Sequence, residues 1–235
     1  MLTEIKLKIY TLPSAFSNPQ VVRLFALEKG CEVFLTTLGG EQKGWKYKKI
    51  NPFGETPCLI LEDGTALTES TAICRFLEGT FEGRKLPGET VKQEALDEMW
   101  TKRIWVRITY PLATCLHVLH EVLGAKLELV KNEEWGRHCR REALATAAIV
   151  DNHLSDGRKW MLGGNEPTLA DITLCTTIAM SKFPTLATDL TERFEFLDKY
   201  WQSWQERSSF KRAYADGGML DELAYLKGTN EAEAA

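Results

Sequence analysis

The 235-residue sequence contains no apolar run that approaches the roughly 18 residues needed for a membrane-spanning helix. Its first residues, MLTEIKLKIYTL, alternate charged and apolar side chains and lack the continuous apolar stretch of a signal peptide. A large excess of charge is lacking too, because 29 basic and 33 acidic residues leave a net charge of -4. The composition argues against a nucleic-acid-binding chain and a disordered acidic chain. We therefore expect a cytoplasmic protein that binds neither membranes nor nucleic acid.

Closely spaced cysteine pairs are also absent. The six cysteines, at positions 31, 58, 74, 115, 139 and 175, form no CxxC pair and no pair at zinc-ligand spacing. We therefore expect free thiols, packed as small apolar side chains in a reducing compartment, and no bound metal. Because 44% of the residues are hydrophobic, the chain can build one large domain or two modest ones.

The first part of the chain alternates between strand and helix patterns. Apolar residues recur at every second position in the predicted strands, and at helical spacing in the predicted helices. The predicted elements are strand 4–10, helix 20–29, strand 31–38, an irregular stretch 39–50, strand 58–63, strand 65–68 and helix 69–78. The order βαβ followed by ββα predicts a thioredoxin-like domain over residues 1–78.

Strand patterns are missing from the remainder of the chain. Residues 79–89 contain three glycines and a proline, which favours an interdomain linker. Beyond it, apolar residues recur only at helical spacing, which predicts an all-helical domain over 90–227 and a polar tail at 228–235. The predicted helical stretches are 90–123, 133–154, 168–182 and 190–207.

Three motifs together resemble the cytosolic glutathione transferase superfamily: NPFGETP at 51–57, LTESTAI at 67–73 and PTLAD at 167–171. The resemblance covers nearly the whole chain. It implies an α/β thioredoxin-like N-terminal domain followed by an all-α C-terminal helical bundle. It also implies a homodimeric glutathione S-transferase with a role in detoxification. Such an enzyme activates the thiolate of its co-substrate glutathione to attack a small hydrophobic electrophile, or for a related lyase, reductase or isomerase step.

The resemblance assigns two contacts of glutathione to the N-terminal domain. Thr56 makes backbone hydrogen bonds to the cysteinyl part of glutathione, and the proline after it, Pro57, is cis. Glu69 holds the ammonium of the γ-glutamyl group, and Ser70 holds its carboxylate. The start of a helix attracts an anion in any case, because free N–H groups and the helix dipole point there. The same two residues would also suit a plain helix cap.

The glycine carboxylate of glutathione is held, in the family, by polar or basic side chains ahead of the Asn-Pro pair. Gln42 and Lys43 occupy that position in this sequence. Three neighbouring lysines, Lys46, Lys48 and Lys49, are alternatives. The PTLAD motif has a structural role instead, since the spacing from Thr168 to Asp171 predicts a capping box at the start of a buried helix.

The thiol-activating position departs from the family pattern. A hydrogen-bond donor after the first strand would favour the nucleophilic thiolate. In the segment LPSAFSNPQ at 12–20, Phe16 stands where serine or cysteine acts in the theta, zeta and omega classes. Phe16 cannot donate, so it becomes a candidate for the substrate pocket. The candidate donors are Ser17 first, then Asn18, then Ser14, with Tyr10 as a further alternative, although these residues would also suit an ordinary turn.

The second substrate is expected to contact the first long helix, which lines the electrophile pocket in the family. The candidates there are Arg103, Trp105, Arg107 and Thr109. The two arginines could receive an anionic substrate, or could pair with Asp97, Glu98 or a partner subunit. A second hypothesis stays open because Phe16 cannot donate. The chain would then be a non-catalytic glutathione-transferase-like binding or assembly module, like the gamma subunit of a translation elongation factor complex.

Overall fold

The structure is a computed structural model that describes residues 7–12, 16–39, 41–120 and 131–215. The chain forms two compact units, one comprising Met1–Lys85 with Arg212–Ala235 and the other Leu86–Lys211. We call them the N-terminal unit and the helical unit. The described residues at 212–215 belong to the N-terminal unit, where the side-chain amide Nε2 of Gln20 donates to the carbonyl oxygen of Ala213 over 2.8 Å.

The N-terminal unit is built on a four-stranded sheet with the strand order β2-β1-β3-β4. The strands are β1 Leu7–Thr11, β2 Val33–Thr37, β3 Cys58–Ile60 and β4 Ala66–Thr68. The helices are α1 Ser17–Lys29, α2 Trp45–Lys48 and α3 Ser70–Thr80. The pair β1 and β2 is parallel, whereas β3 is antiparallel to both β1 and β4. This is the thioredoxin-like order that the sequence predicted.

Helix α1 shows why the sequence folds this way. Its apolar residues at helical spacing, among them Val22, Leu24 and Phe25, are completely buried. The helix ends at Gly30, which has the left-handed φ of 76° that glycine tolerates best. Its start is three residues earlier than the periodicity predicted, since Pro19 lies in the first turn, where a missing N–H is tolerated.

The stretch 39–50 was wrongly predicted to be irregular throughout. A 3₁₀ turn at Glu41–Lys43 and helix α2 lie within it. Tyr47 explains the helix, because its buried ring packs edge-on against Tyr10 with 5.4 Å between ring centroids. One apolar anchor in a run of exposed lysines gives too short a pattern for periodicity to detect.

The helical unit contains no strand among its described residues. Its helices are α4 Val91–Ile104, α5 Tyr110–Leu119, α6 Glu133–Leu154, α7 Leu169–Ser181, α8 Leu190–Arg193 and α9 Glu195–Gln205, and α10 Ser208–Ala213 leads into the N-terminal unit. A π-helical turn, Trp105–Thr109, joins α4 to α5. The predicted helix 190–207 is broken at Phe194, whose backbone is extended. In the described part of the chain, no helix has the length and apolar character to cross a bilayer.

Helix α7 is the centre of the helical unit, with twelve of its thirteen residues buried. The predicted capping box is confirmed: the backbone N–H and the hydroxyl of Thr168 both donate to the carboxylate of Asp171. Asp171 also accepts hydrogen bonds from the amide of Met161 at 2.7 Å and the hydroxyl of Tyr200 at 3.0 Å. The cysteines behave as expected, since all six are free and buried.

A second buried carboxylate reaches the start of α7 from α4. Asp97 accepts a hydrogen bond from the amide of Ala170 over 2.8 Å. Its side chain is almost completely removed from solvent. Burial raises the pKa of Asp97 from its usual 3.8 to about 7, although the hydrogen bonds from Thr168 and Ala170 partly oppose the shift.

This raised pKa predicts a pH-dependent stability. Because the folded pKa exceeds the unfolded one, the contribution of Asp97 to the free energy of unfolding is complete below pH 3.8 and is lost as the pH rises through about 7. We expect Asp97→Asn, which keeps the acceptor for Ala170, to remove part of the decline in stability between pH 5 and 8. Urea unfolding at a series of pH values measures this slope.

The matched control is Asp63→Asn, because a hydrogen bond from Thr65 lowers the pKa of the exposed Asp63 below its usual 3.8, which already lies below that window. This control should leave the slope unchanged. An identical slope in the Asp97→Asn variant and the wild-type protein would contradict the prediction.

Candidate functional site

The strand register brings three candidate segments to one end of the sheet. In the antiparallel pairs, Cys58 lies opposite Tyr10 on one side and opposite Thr68 on the other. The chain after Tyr10, the chain before Cys58 and the chain after Thr68 therefore leave the sheet at the same end. The first of these segments leads to the start of α1, the second contains the Thr56–Pro57 bond, and the third begins α3.

The Thr56–Pro57 peptide bond is cis, as the sequence motif predicted. Thr56 is half-buried, and its backbone groups make no hydrogen bond to the described part of the chain. An inaccessible backbone donor or acceptor without a partner is rare in proteins. The N–H and C=O of Thr56 are thus available to an extended ligand that lies along this edge.

The start of α3 has an unusual backbone. Glu69 has φ 66° and ψ 122°, a conformation that side chains rarely adopt. Its carboxylate is exposed and does not cap the helix, so the plain-cap interpretation of this residue is not realised. Strained residues of this kind are held in place by their surroundings and occur preferentially at ligand sites.

The first turn of α3 is open to an anion. The amides of Ser70, Thr71 and Ala72 have no hydrogen-bond acceptor in the described part of the chain, and the first turn carries no acidic side chain. Such amides, together with the helix dipole, attract a carboxylate. The adjacent carboxylate of Glu69 suits a cation. Together they match a ligand group that carries both charges.

The segment from Gln42 to Lys49, which carries the candidate side chains for the glycine carboxylate, lies beside the loop that precedes Thr56. Gln42 is buried and Lys43 is exposed. Gly54 packs so closely that a Cβ there would lie 2.8 Å from the carbonyl oxygen of Gln42 and 3.1 Å from Cε of Lys48. Lys46 and Lys49 turn instead to the ring of Trp45, at 5.9 and 4.6 Å from its centroid. Gln42 and Lys48 are therefore the members of this set that the structure packs against the loop.

The candidate thiol donors differ in their exposure. Ser17, the first residue of α1, is buried, whereas Asn18 is half-buried and its side chain makes no hydrogen bond to the described part of the chain. Phe16 precedes the helix with an extended backbone, and its carbonyl accepts the amide of Gln20 over 3.2 Å. Ser14 lies outside the described residues. Tyr10 lies in β1, and its ring packs on that of Tyr47 in α2.

The remaining candidates lie in the helical unit. Arg103 and Arg107 are exposed and form no ion pair with a described residue, and the guanidinium of Arg103 lies 5.2 Å from the ring centre of Trp100. Trp105 is half-buried in the π-helical turn. Thr109 is buried, and its hydroxyl lies 2.6 Å from that of Thr177, so it packs inside the unit.

Two residues that we did not select from the sequence act on the same loop. The hydroxyl of Tyr47 and the side-chain amide of Asn51 both donate to the carbonyl oxygen of Glu55, each over 2.8 Å. The asparagine could have been noticed, because it belongs to the NPFGETP motif. No sequence signal marks a tyrosine whose partner is a backbone carbonyl eight residues later.

The strain at Glu69 predicts a difference between two substitutions. Glu69→Ala and Glu69→Gly both remove the carboxylate, but only glycine adopts φ 66° readily. Relief of strain is worth about 1–3 kcal/mol, and the extra freedom of unfolded glycine offsets ~0.5–1 kcal/mol of it. Urea unfolding should therefore show the glycine variant to be more stable than the alanine variant by about 1 kcal/mol. The reverse order would mean that the backbone at Glu69 is unstrained.

The chain is similar to known proteins in both sequence and fold. The family model described as "Glutathione S-transferase, N-terminal domain" matches residues 15–80. Glutathione S-transferase 2 of Saccharomyces cerevisiae is 28% identical, covering 88% of this chain and 89% of that protein. Elongation factor 1-gamma 1 of rice is 25% identical, covering 81% of this chain and 43% of that protein. A glutathione S-transferase domain-containing protein of Marinobacter aquaeolei is structurally similar with a TM-score of 0.76 and 27% identity, covering 86% of this chain and 99% of that one. The family model, the yeast relative and the structural neighbour all support a member of the glutathione S-transferase superfamily.

Proposed function

We propose that the protein binds reduced glutathione at the end of its sheet and activates the thiol for transfer to a small hydrophobic electrophile. The chain is a glutathione transferase or a related glutathione-dependent enzyme. One observation supports the site above all: unpartnered backbone groups of Thr56 and the open first turn of α3 emerge from the same end of the sheet. A peptide with one zwitterionic end fits that combination.

Glutathione would lie across this end of the sheet in an extended form. Its cysteinyl backbone pairs with the N–H and C=O of Thr56, ahead of Pro57. Its γ-glutamyl carboxylate accepts from the amides and hydroxyl at Ser70, and its ammonium meets Glu69. Its glycine carboxylate lies toward Gln42 and Lys43, with Lys48 as a second cation.

The start of α1 supplies the donor for the thiolate. A thiol titrates near pH ~8.5 in water, and a hydrogen bond to the anion lowers that pKa. Asn18 has a half-exposed amide without a described partner, so it can reach a ligand without rearrangement. Ser17 and Ser14 are the other candidates, and the burial of Ser17 makes its contact less direct.

The activated thiolate attacks an electrophilic carbon, and the product is a thioether, as expected of a detoxification enzyme in the cytoplasm. In the N-terminal unit, Phe16 is a proposed contact of the second substrate. Within the helical unit, the candidates remain Arg103, Trp105 and Arg107, which the family resemblance suggests. The protein acts as a homodimer in this proposal. The exposed rings of Trp45 and Phe53 are apolar surface that a partner subunit would cover.

The alternative is a binding or assembly module without catalysis. Two observations favour it: Phe16 cannot donate to a thiol, and an elongation factor 1-gamma is among the similar proteins. The strained backbone of Glu69 weighs against it, because an assembly module without a ligand has no need of that strain.

The first test is calorimetry with reduced glutathione. The wild-type protein should bind it, and Glu69→Gln should weaken binding about tenfold or more, since a charged hydrogen bond is worth ~1.5–3 kcal/mol. Because Glu69 acts far from the sulfur, its loss should raise KM and leave kcat nearly unchanged. The control is Glu62→Gln, which changes an exposed acid in the turn between β3 and β4. This variant should bind glutathione like the wild type. No heat with the wild type at millimolar glutathione would refute the proposed function in favour of the assembly module.

The second test identifies the thiolate donor. Asn18→Ala should raise the pKa of bound glutathione by about one to two units, which reduces the thiolate fraction at neutral pH ~10–100-fold, with little change in affinity. Activity should recover at higher pH. Thiolate absorbance against pH, measured for wild type, Ser17→Ala and Asn18→Ala, separates the two residues. A titration that neither substitution shifts would assign the role to Ser14, Tyr10 or a backbone N–H.

A further inference from the structure

Two buried side chains converge on a single carbonyl group in the loop before Pro57. The hydroxyl of Tyr47 and the amide Nδ2 of Asn51 each donate to the carbonyl oxygen of Glu55 at 2.8 Å. Tyr47 is 4% exposed and Asn51 is 1% exposed. A carbonyl oxygen has two lone pairs, so these two donors satisfy it fully from within the protein.

We propose that Tyr47 and Asn51 form a double clamp that aims the backbone N–H of Thr56 at glutathione, which makes them positioning residues for ligand binding. This inference rests on the proposed function. The carbonyl of Glu55 and the N–H of Thr56 belong to one peptide unit, which is planar. That unit is trans, because Thr56–Pro57 is the cis peptide bond of the described residues. In a trans unit the C=O and N–H point in opposite directions, so fixing the oxygen fixes the direction of the donor.

The clamp is anchored on both sides. The ring of Tyr47 packs edge-on against Tyr10 of β1, and Tyr47 shares a buried cluster with Cys58 of β3. The position of the hydroxyl is therefore set by the sheet. Asn51 is held by its own loop, since its Oδ1 accepts the amide of Phe53 at 3.2 Å and its carbonyl accepts the amide of Gly54 at 2.9 Å.

The clamp also strengthens the donor. Hydrogen bonds in series polarise one another, so a peptide whose oxygen accepts two donors offers a more positive N–H at its other end. The N–H of Thr56 has no acceptor among the described residues. The protein thus uses two buried donors to orient and polarise one amide that it leaves free, which is the arrangement a ligand-binding amide requires.

The test compares Tyr47→Phe with the wild type. This substitution removes one donor and keeps the ring. We expect the Kd of glutathione to rise about three- to tenfold, the range for one neutral hydrogen bond. The Kd of S-methylglutathione, which lacks the thiol, should rise by the same factor. The pKa of the bound thiol and kcat should not change, because the clamp acts on backbone contacts. In ¹H–¹⁵N spectra, the change in the Thr56 amide signal on adding glutathione should be smaller than in the wild type.

The matched control is Tyr200→Phe in the helical unit, which loses a buried hydroxyl bonded to Asp171 at 3.0 Å. It should lower Tm like Tyr47→Phe and leave the Kd unchanged. Asn51→Asp replaces the second donor by an oxygen that repels the carbonyl of Glu55, so its Kd should rise more than that of Tyr47→Phe.

Three results are decisive. If Tyr47→Phe lowers Tm but leaves the Kd and the Thr56 signal at wild-type values, Tyr47 is structural only and the inference is wrong. A thiol pKa that shifts with Tyr47→Phe would also overturn it, because the residue would then act on the sulfur. If the wild-type protein itself binds no glutathione, the proposed function fails and the clamp has no ligand to serve.

Discussion

The antiparallel pairing of β3 with both of its neighbours determines where the proposed binding groups of the N-terminal unit lie. Cys58 is opposite Tyr10 and opposite Thr68 at once. That single register brings the Thr56–Pro57 bond between the chain that leads to α1 and the chain that begins α3. A shift of one residue would turn alternate side chains to the other face of the sheet. It would also separate the free amide of Thr56 from the open turn of α3, so the site depends on the register.

The sequence was sufficient for the architecture and for the residues that carry a short-range signal. The helix stop at Gly30, the capping box from Thr168 to Asp171 and the cis bond at Pro57 were all predicted and are present. The first two are specified by a few adjacent residues, because a left-handed glycine and a reciprocal cap are local structures. The cis bond was predicted from the resemblance of the NPFGETP motif to the family, since an X–Pro bond alone is usually trans.

The sequence was insufficient where a residue acts through a distant or backbone partner. Helix α2 was missed because one buried tyrosine holds it, and the role of Tyr47 at the carbonyl of Glu55 has no pattern in the sequence. Asp97 was considered only as a possible partner for arginines, but its carboxylate bonds to the amide of Ala170, 73 positions away. Such contacts arise only when the elements pack, so the spacing of residues along the chain does not reveal them.

The starts of α7 and α3 show how one protein treats the same physical problem in two ways. Every helix begins with backbone N–H groups that need acceptors. At α7 the chain supplies two buried carboxylates, Asp97 and Asp171, and accepts the unfavourable burial of charge in exchange for a fixed helix start. At α3 the first amides have no such acceptor among the described residues, and Glu69 carries a strained backbone instead.

The contrast is between a helix start that the protein satisfies itself and one that suits the anionic ligand of the proposed function. An internal carboxylate at α3 would satisfy its amides and stabilise the fold, but it would also occupy the position that an anionic ligand needs. The chain leaves that position open and, in the same region, leaves the amide of Thr56 free while two buried donors hold the carbonyl behind it. The free amide of Thr56 and the open first turn of α3 lie at one end of one sheet, and this shared position is what the proposed glutathione site depends on.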